Sequence, residues 1–469
     1  MRLPKPRPFN RDAFVRDSRQ RLKKGLIAAV AAFLVITIVE GVTGTLVLAV
    51  LVGLALYVPA WRHVPFGRYA VLATVIALVV LYPFYQEDMF QVPIFGGFPS
   101  IDTAVTMLIF VMMALGLNIV VGYAGLLDLG YVAFYAMGAY TAAWFASPHF
   151  AEKVTRHFGA VGISEEAGGI HISIWLVLVI AAIFTAIIGV IIGLPTLRLR
   201  GDYLAIVTLG FGEIMPQIAR NGDNLFNTGF NLTNGPQGIN PIDPPGFGST
   251  LEDTVMLPES YLAPDNAIWP LDDSLRLYFW TAVVLVLFTV FCSVRLRDSR
   301  LGRAWIAIRE DETAAAAMGV PLMRTKTWAY AAGAFFGGIA GAYYASFKSG
   351  TFPDDFFFNI SIFILCMVIL GGMGNIWGVI MGGGFLAYLN QEGLGNIGGW
   401  INERFATGTA EWVKVFDEPI DVPLYQFGIF GVILVLVMLF KPEGLIPSTR
   451  RKLEFQEGVH DEPLYDTTK

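Results

Sequence analysis

Two carboxylates stand in surroundings that ordinarily reject charge. Asp128 lies in Ala124-Gly125-Leu126-Leu127-Asp128-Leu129-Gly130, and Glu213 lies in Gly210-Phe211-Gly212-Glu213-Ile214, both inside apolar runs. An ionisable group at such a depth is costly unless it points into a polar interior, pairs with another group or serves a broken helix. Two readings follow: Asn118, Tyr123, Asp128 and Glu213 line a solute path, or the two acids point into the helix bundle and cap interrupted helices. A third group of residues could transmit force. In Arg309-Glu310-Asp311-Glu312-Thr313-Ala314-Ala315-Ala316-Ala317-Met318-Gly319-Val320-Pro321, acids open the stretch, alanines fill it, glycine closes it and proline blocks its continuation. These are the signals of a short, self-contained helix, with acids at its positive end and Gly319 at C′. Such a helix, set in a long polar loop, presents a small-residue face on which another protein can dock. The plain alternative is an ordinary connecting helix.

Other chemistries find no support. No phosphate loop of the form G-x-x-x-x-G-K-[ST], no H-E-x-x-H zinc motif and no nucleophile elbow occurs in the chain. Its two cysteines, Cys292 and Cys366, lie within apolar runs and have no metal-ligand spacing, so no cofactor, metal or disulfide framework is expected. If the protein moves solute uphill, the energy comes from an ion gradient or from a separate ATPase. Mid-membrane charge is scarce here, and an ion-coupled carrier depends on such charge.

The elements that position these residues are membrane helices. Of 469 residues 55% are hydrophobic and 15% charged, with mean hydropathy +0.59, more apolar surface than a soluble fold hides. The net charge of −6 says little, because in a membrane protein the distribution of Lys and Arg carries the information. Apolar segments long enough to cross a bilayer are expected near 26–40, 44–60, 68–85, 102–122, 126–146, 173–194, 203–219, 275–294, 328–346, 358–373, 376–391 and 424–441. That gives about ten to twelve spans. Residues 1–25 read as a retained basic cytoplasmic arm and 26–100 as accessory spans. Residues 101–442 read as the main transmembrane domain and 443–469 as a cytoplasmic tail.

Loop charge sets the orientation. The 295–327 loop carries Arg295, Arg297, Arg300, Arg303, Arg309, Arg324 and Lys326 and belongs inside, with both termini. The 221–274 loop has no Lys or Arg but holds Asp223, Asp243, Glu252, Asp253, Glu259, Asp265, Asp272 and Asp273, and belongs outside. The fold class is therefore an all-α, polytopic helical bundle with both termini cytoplasmic. This parity requires the short 203–219 segment to cross. Glycines four apart, Gly333 with Gly337 and Gly341 among them, predict close helix packing.

Several longer motifs, in order, carry a resemblance. Leu115-Gly116-Leu117-Asn118-Ile119-Val120-Val121-Gly122-Tyr123-Ala124-Gly125-Leu126-Leu127-Asp128-Leu129-Gly130 and the Leu197-to-Gly210 stretch resemble the signature regions of LivM-type permeases. The run from Asp298 to Gly319 is similar to that family's coupling motif, E-A-A followed by glycine, with Glu312-Thr313-Ala314 in place of strict E-A-A. Asn231-to-Ile239 and Ile369-to-Asn375 are also similar to the family. The resemblance spans roughly residues 100–450. It implies the permease subunit of an ATP-driven ABC importer for leucine, isoleucine and valine in a bacterial inner membrane, working by alternating access. It implies a LivH-type second permease, LivG- and LivF-type ATPases and a periplasmic binding protein as partners, with the lipid bilayer and no nucleic acid. Arg309, Glu310, Asp311, Glu312, Thr313, Ala314, Ala315 and Gly319 then form the helix that meets the ATPase. Permeases for urea, amides or other amino acids in the same family remain alternatives, as does a stand-alone ion-coupled carrier or channel.

Overall fold

The computed structural model describes residues 98–151, 153–159, 168–199, 201–224, 229–245, 274–403, 421–441 and 444–446, with isolated positions between 76 and 86. The expected arm 1–25, the spans 26–40 and 44–60, most of the span 68–85, the loop stretch 246–273 and nearly all of the tail lie outside the described residues.

The chain divides into two compact units, Met1–Asp102 with Glu392–Val422, and Thr103–Gln391 with Pro423–Lys469. In the first, Tyr82 donates its hydroxyl to the Pro99 carbonyl at 2.7 Å, and Ser100 donates its N–H and hydroxyl to Glu392 Oε1 at 3.0 and 2.8 Å.

The second unit is helical. Its elements are α1 (Ile101–Leu117, beginning two residues earlier in the first unit), α2 (Val132–Phe145), α3 (Ile174–Thr196), α4 (Asp202–Asn221) and α5 (Ser274–Asp298). There follow α6 (Arg300–Glu310), α7 (Glu312–Ala317), α8 (Leu322–Phe347), α9 (Phe358–Gly371) and α10 (Ile376–Tyr388). Helix α11 (Leu394–Ile401) belongs to the first unit and α12 (Gln426–Phe440) to the second. Four described segments combine the length and apolarity that crossing requires: Ile101–Tyr123, Ile174–Thr196, Leu275–Asp298 and Val422–Phe440.

Helix α8 is the centre of this unit and packs on α2 and α3. Lipid supplies no hydrophobic drive between helices, so the contact relies on small residues that let backbones touch. Gly333 lies against Val120 and Gly116, Gly337 is positioned so that a Cβ would sit 3.1 Å from Phe134 Cβ, and Gly341 lies beneath the Tyr135 carbonyl. Gly338 abuts Gly138 and Thr185. Tyr131 ties the same seam by donating its hydroxyl to the Gly333 carbonyl at 3.0 Å. The opposite faces are apolar and exposed: Trp175, Val179, Ile183, Ile187 and Ile191 form one stripe along α3 at helical spacing.

The short 203–219 segment lies within helix α4. The helix is continuous from Asp202 to Asn221, with Pro216 in its interior. Twenty residues reach about 30 Å. It begins just after α3 ends near Tyr330, to which Gly193 is apposed. It finishes where Ala219 accepts from the Thr233 hydroxyl at 2.7 Å and Arg220 pairs with Asp354 at 2.7 Å. Asp354 follows the far end of α8, so α4 runs the length of the unit.

One helix start differs from the expectation. Helix α2 begins at Val132 and not at residue 126, because Gly125 adopts φ +68° and the Asp128 carboxylate accepts from the Gly130 N–H, which holds 124–131 out of helix. The all-α bundle also carries a few residues of strand. Between α2 and α3 lies a small sheet, β1 (Ala146–Ser147), β2 (Thr155–Phe158) and β3 (Gly169–Ile172), with β3 central, antiparallel to β1 and parallel to β2. There the His157 and His171 rings stack at 5.0 Å, and His171 Nδ1 meets Asp243 Oδ2 at 2.8 Å. Burial pushes the Asp243 carboxyl up from its ordinary value.

Candidate functional site

All of the candidate residues outside the glycine seam except Glu213 gather at two places in the second unit. The first is the hairpin of α6 and α7. Ser299 caps α6 by accepting from the Gly302 N–H at 3.1 Å, and Gly302, Trp305 and Ile308 form its buried face. The expected single helix from Arg309 onward is instead broken at Asp311. This residue is extended (φ −151°, ψ 110°), and its carboxylate accepts from the N–H groups of Thr313 and Ala314 at 2.8 and 3.0 Å. A side chain that satisfies two orphan donors starts α7 afresh. Those bonds, with one from the Thr313 hydroxyl, hold the Asp311 carboxyl below its ordinary value. At the other end Gly319 takes φ +84°, and the Gly319 and Val320 N–H groups return to Ala316 and Ala315 carbonyls.

The hairpin is fastened to the start of α8. Trp305, fully buried, donates its indole N–H to the Thr325 carbonyl at 2.8 Å, and Lys326 Nζ pairs with Glu312 Oε1 at 2.8 Å. The eight residues expected to form one docking surface therefore divide. Ala315 is buried, Glu312 is engaged with Lys326, and Arg309 turns inward; Glu310, Asp311, Thr313, Ala314 and Gly319 remain exposed, with Ala316, Ala317 and Met318 beside them.

The second place is where α1 comes apart. Its last turn, Asn118–Tyr123, is wound as a wider π-helix, entirely buried. Such turns mark functional sites often enough to direct attention there. Asn118 accepts from the Gly374 N–H at 2.8 Å, joining this turn to the glycine turn between α9 and α10. Gly122 is packed against Asn118 and Gly374 so closely that a Cβ would stand 2.7 Å from the Gly374 nitrogen. Arg309 reaches in from α6 and donates to the Gly122 carbonyl at 2.6 Å. Tyr123 is 2% exposed. Asp128 is fully buried, receives the Gly130 N–H at 2.9 Å and has the phenol of Tyr330 as a polar neighbour. The adjoining Leu129 N–H goes to the Thr208 hydroxyl at 3.0 Å.

Glu213 is elsewhere. Thr208 and Gly212 face the 128–130 loop across the buried side of α4, while Glu213 lies on the exposed side with Tyr203, Ile206 and Gln217. The expected path residues do not form one cluster: Asn118, Tyr123 and Asp128 belong to the interrupted region, and Glu213 to an open helix face. Unlike the stripe on α3, this face mixes apolar residues with a carboxylate and an amide.

Sequence reasoning missed Trp305, Lys326, Tyr330 and Thr208. The spacing of Gly302, Trp305 and Ile308 carries a legible signal for the first. Lys326 sits in a basic loop that reads as solvated, and its burial depends on where α7 lies.

Residues 100–438 match the family described as the permease component of branched-chain amino acid transport systems. This chain belongs to that family. It is 34% identical over 363 residues to the high-affinity branched-chain amino acid transport system permease protein LivM of Escherichia coli, covering 77% of this chain and 73% of the relative. The Salmonella typhimurium protein of the same name is 35% identical, over 76% and 72% of the two chains. A probable branched-chain amino acid transport permease LivM of Methanocaldococcus jannaschii is 25% identical, over 72% of this chain and 91% of that one. No solved structure matches. The family and the apolar helices make this a multi-pass membrane protein whose function is that of a permease component in a branched-chain amino acid transport system.

Proposed function

We propose that this chain is the transmembrane permease subunit of an ATP-driven ABC importer for leucine, isoleucine and valine in a bacterial inner membrane. Its partners on this reading are a LivH-type second permease, LivG- and LivF-type ATPases and a periplasmic binding protein that delivers solute. The transport is alternating access, in which ATP-driven movement at one end of the helices opens and closes the path between them. The α6–α7 hairpin carries the reading. It is capped at both ends of α7, fastened to α8 through Trp305 and the Lys326–Glu312 pair, and leaves an apolar tip of Ala314, Ala316, Ala317 and Met318 open to a partner. Fastening on one side and exposure on the other is what an element needs to pass a push from a docked ATPase into a helix. Its place in a loop rich in arginine supports a cytoplasmic side for the tip.

Glu213 and Gln217 take part on this reading as residues of the solute path, because a carboxylate on a membrane helix does not face lipid at tolerable cost. The α4 face that bears them then borders the second permease, and the zwitterionic solute passes between the two.

The test uses the full importer in vesicles with ATP inside and loaded binding protein outside. Uptake of labelled leucine, isoleucine and valine is expected, with urea excluded; uptake of urea alone would overturn the solute assignment. Ala317→Trp, which enlarges an exposed tip residue, should lower both uptake and co-purification of the ATPases. Normal values of both would remove the coupling role from α7. Glu213→Gln should lower uptake while leaving assembly intact, and unchanged uptake would take Glu213 off the path.

A further inference from the structure

Arg309 is placed by the sequence on the surface that meets the ATPase, yet it points the other way. Its guanidinium donates to the Gly122 carbonyl at 2.6 Å. Its stem fills the space beside Gly125, where a Cβ would stand 2.8 Å from Arg309 Cγ, and Gly125 also requires its left-handed φ of +68°. Its Nη1 lies 3.3 Å from where a Cβ would project at Gly374, whose φ is +84°. Gly122 and Gly125 form the turn at the end of α1, and Gly374 belongs to the turn between α9 and α10. One side chain thus touches both glycine turns.

Physical chemistry explains why an arginine suits this position. The last carbonyls of a helix have no partner within it and carry partial negative charge, and a planar cation with several donors satisfies them better than a point charge does. At α9 the corresponding carbonyls are already taken: Leu370 and Gly371 accept from the Leu445 and Ile446 N–H groups at 2.8 and 3.3 Å. Among the described residues no such backbone donor reaches the Gly122 carbonyl, which takes Arg309 instead. Asn118 closes the ring by accepting from the Gly374 N–H.

We propose that Arg309 is the positioning residue that links α7 to the interrupted region of the bundle, so that displacement of the hairpin is felt at both glycine turns together. Asp311, two residues on, starts α7, so any shift of that helix acts on Arg309 through a short, hydrogen-bonded stretch of chain. Gly125 and Gly374 supply backbone freedom at the receiving end. The proposal rests on the coupling role of α7 stated above and adds the route by which the movement enters the membrane region.

The assembled importer with both ATPases tests it, by measuring ATP hydrolysis and solute uptake in the same vesicles. Arg309→Ala should keep the ATPases bound and hydrolysing, while uptake falls by roughly tenfold, the loss expected for a charge-assisted hydrogen bond. Hydrolysis should also cease to rise with loaded binding protein. Arg309→Lys keeps the charge and the stem over Gly125 but loses the fork, and should show the same raised hydrolysis-to-uptake ratio to a smaller degree. A merely destabilised protein loses both activities in proportion and leaves that ratio alone, so an unchanged ratio in Arg309→Lys overturns the proposal even if Arg309→Ala fails to assemble. Loss of ATPase co-purification in Arg309→Lys also overturns it, because Arg309 then belongs to the docking surface. Should Ala317→Trp behave as the parent, it is the coupling role of α7 that fails; should Ala317→Trp fail and both Arg309 variants behave as the parent, it is the link.

Discussion

Removing Glu312 isolates a buried cation. Lys326 is 4% exposed, and its ammonium meets Glu312 Oε1 at 2.8 Å, with the Glu312 side chain 27% exposed. Breaking a fully buried pair costs about 3–5 kcal/mol, while exposed pairs are worth about 1 kcal/mol or less. The partial exposure of the acid places Glu312→Ala between these, at about 2 kcal/mol. Because the pair joins α7 to the N-terminal part of α8, the cost falls on local opening of the hairpin more than on global unfolding. Each 1.4 kcal/mol is a factor of ten, so amide exchange along Ala315–Val320 should quicken roughly 30-fold, while the α8 interior around Ala334–Ala342 is unaffected. Glu312→Ala with Lys326→Met removes both partners and replaces the stem, and should recover most of the loss. The measurement is hydrogen exchange on the purified complex, with each variant beside the parent. Acceleration below threefold, or a double variant that exchanges as fast as Glu312→Ala alone, would refute the claim that this pair holds the hairpin to the bundle.

Two further outcomes follow from the same geometry. Gly138→Ala should destabilise the bundle by about 1–3 kcal/mol, because its Cβ meets the backbone of Gly338, whereas Gly210→Ala finds nothing within 4 Å and should be neutral or slightly stabilising in the isolated chain; thermal inactivation in detergent separates them. Asp311→Ala should loosen α7 more than Asp311→Asn, which retains an acceptor for Thr313 and Ala314. Since the Asp311 carboxyl is held below its ordinary value, its contribution is complete above the usual aspartate range and is lost as pH falls through the lowered value. Exchange in α7 of the parent should therefore exceed its intrinsic pH trend in acid, and that excess should be absent from Asp311→Asn.

Much was legible without coordinates because bilayer physics writes itself into composition. Long apolar runs gave α3 and α5 within a few residues of their ends, and Gly319 gave the end of α7. Those signals are local: a cap, a stop or an apolar window needs no knowledge of the rest of the chain. Family motifs, also linear, carried the permease assignment. What was hidden depends on the far partner. Gly210, Gly212 and Pro216 are helix-weakening residues in α4, yet the helix stays continuous where Thr208 and Gly212 pack on the 128–130 loop and Arg220 finds Asp354.

Arginine at position 309 shows the division most clearly. By itself the sequence determined that a basic residue opens a short helix in a polar loop, and that Gly122, Gly125 and Gly374 lie far from it in the chain. Only the tertiary structure decided that the guanidinium turns inward to those glycines, because the carbonyl at Gly122 has no backbone donor among the described residues and the three segments meet only when α1, α6 and the turn between α9 and α10 are packed together. Local propensity fixes where helices begin and end; the unmet hydrogen-bonding needs of their ends are settled by whatever packing brings near.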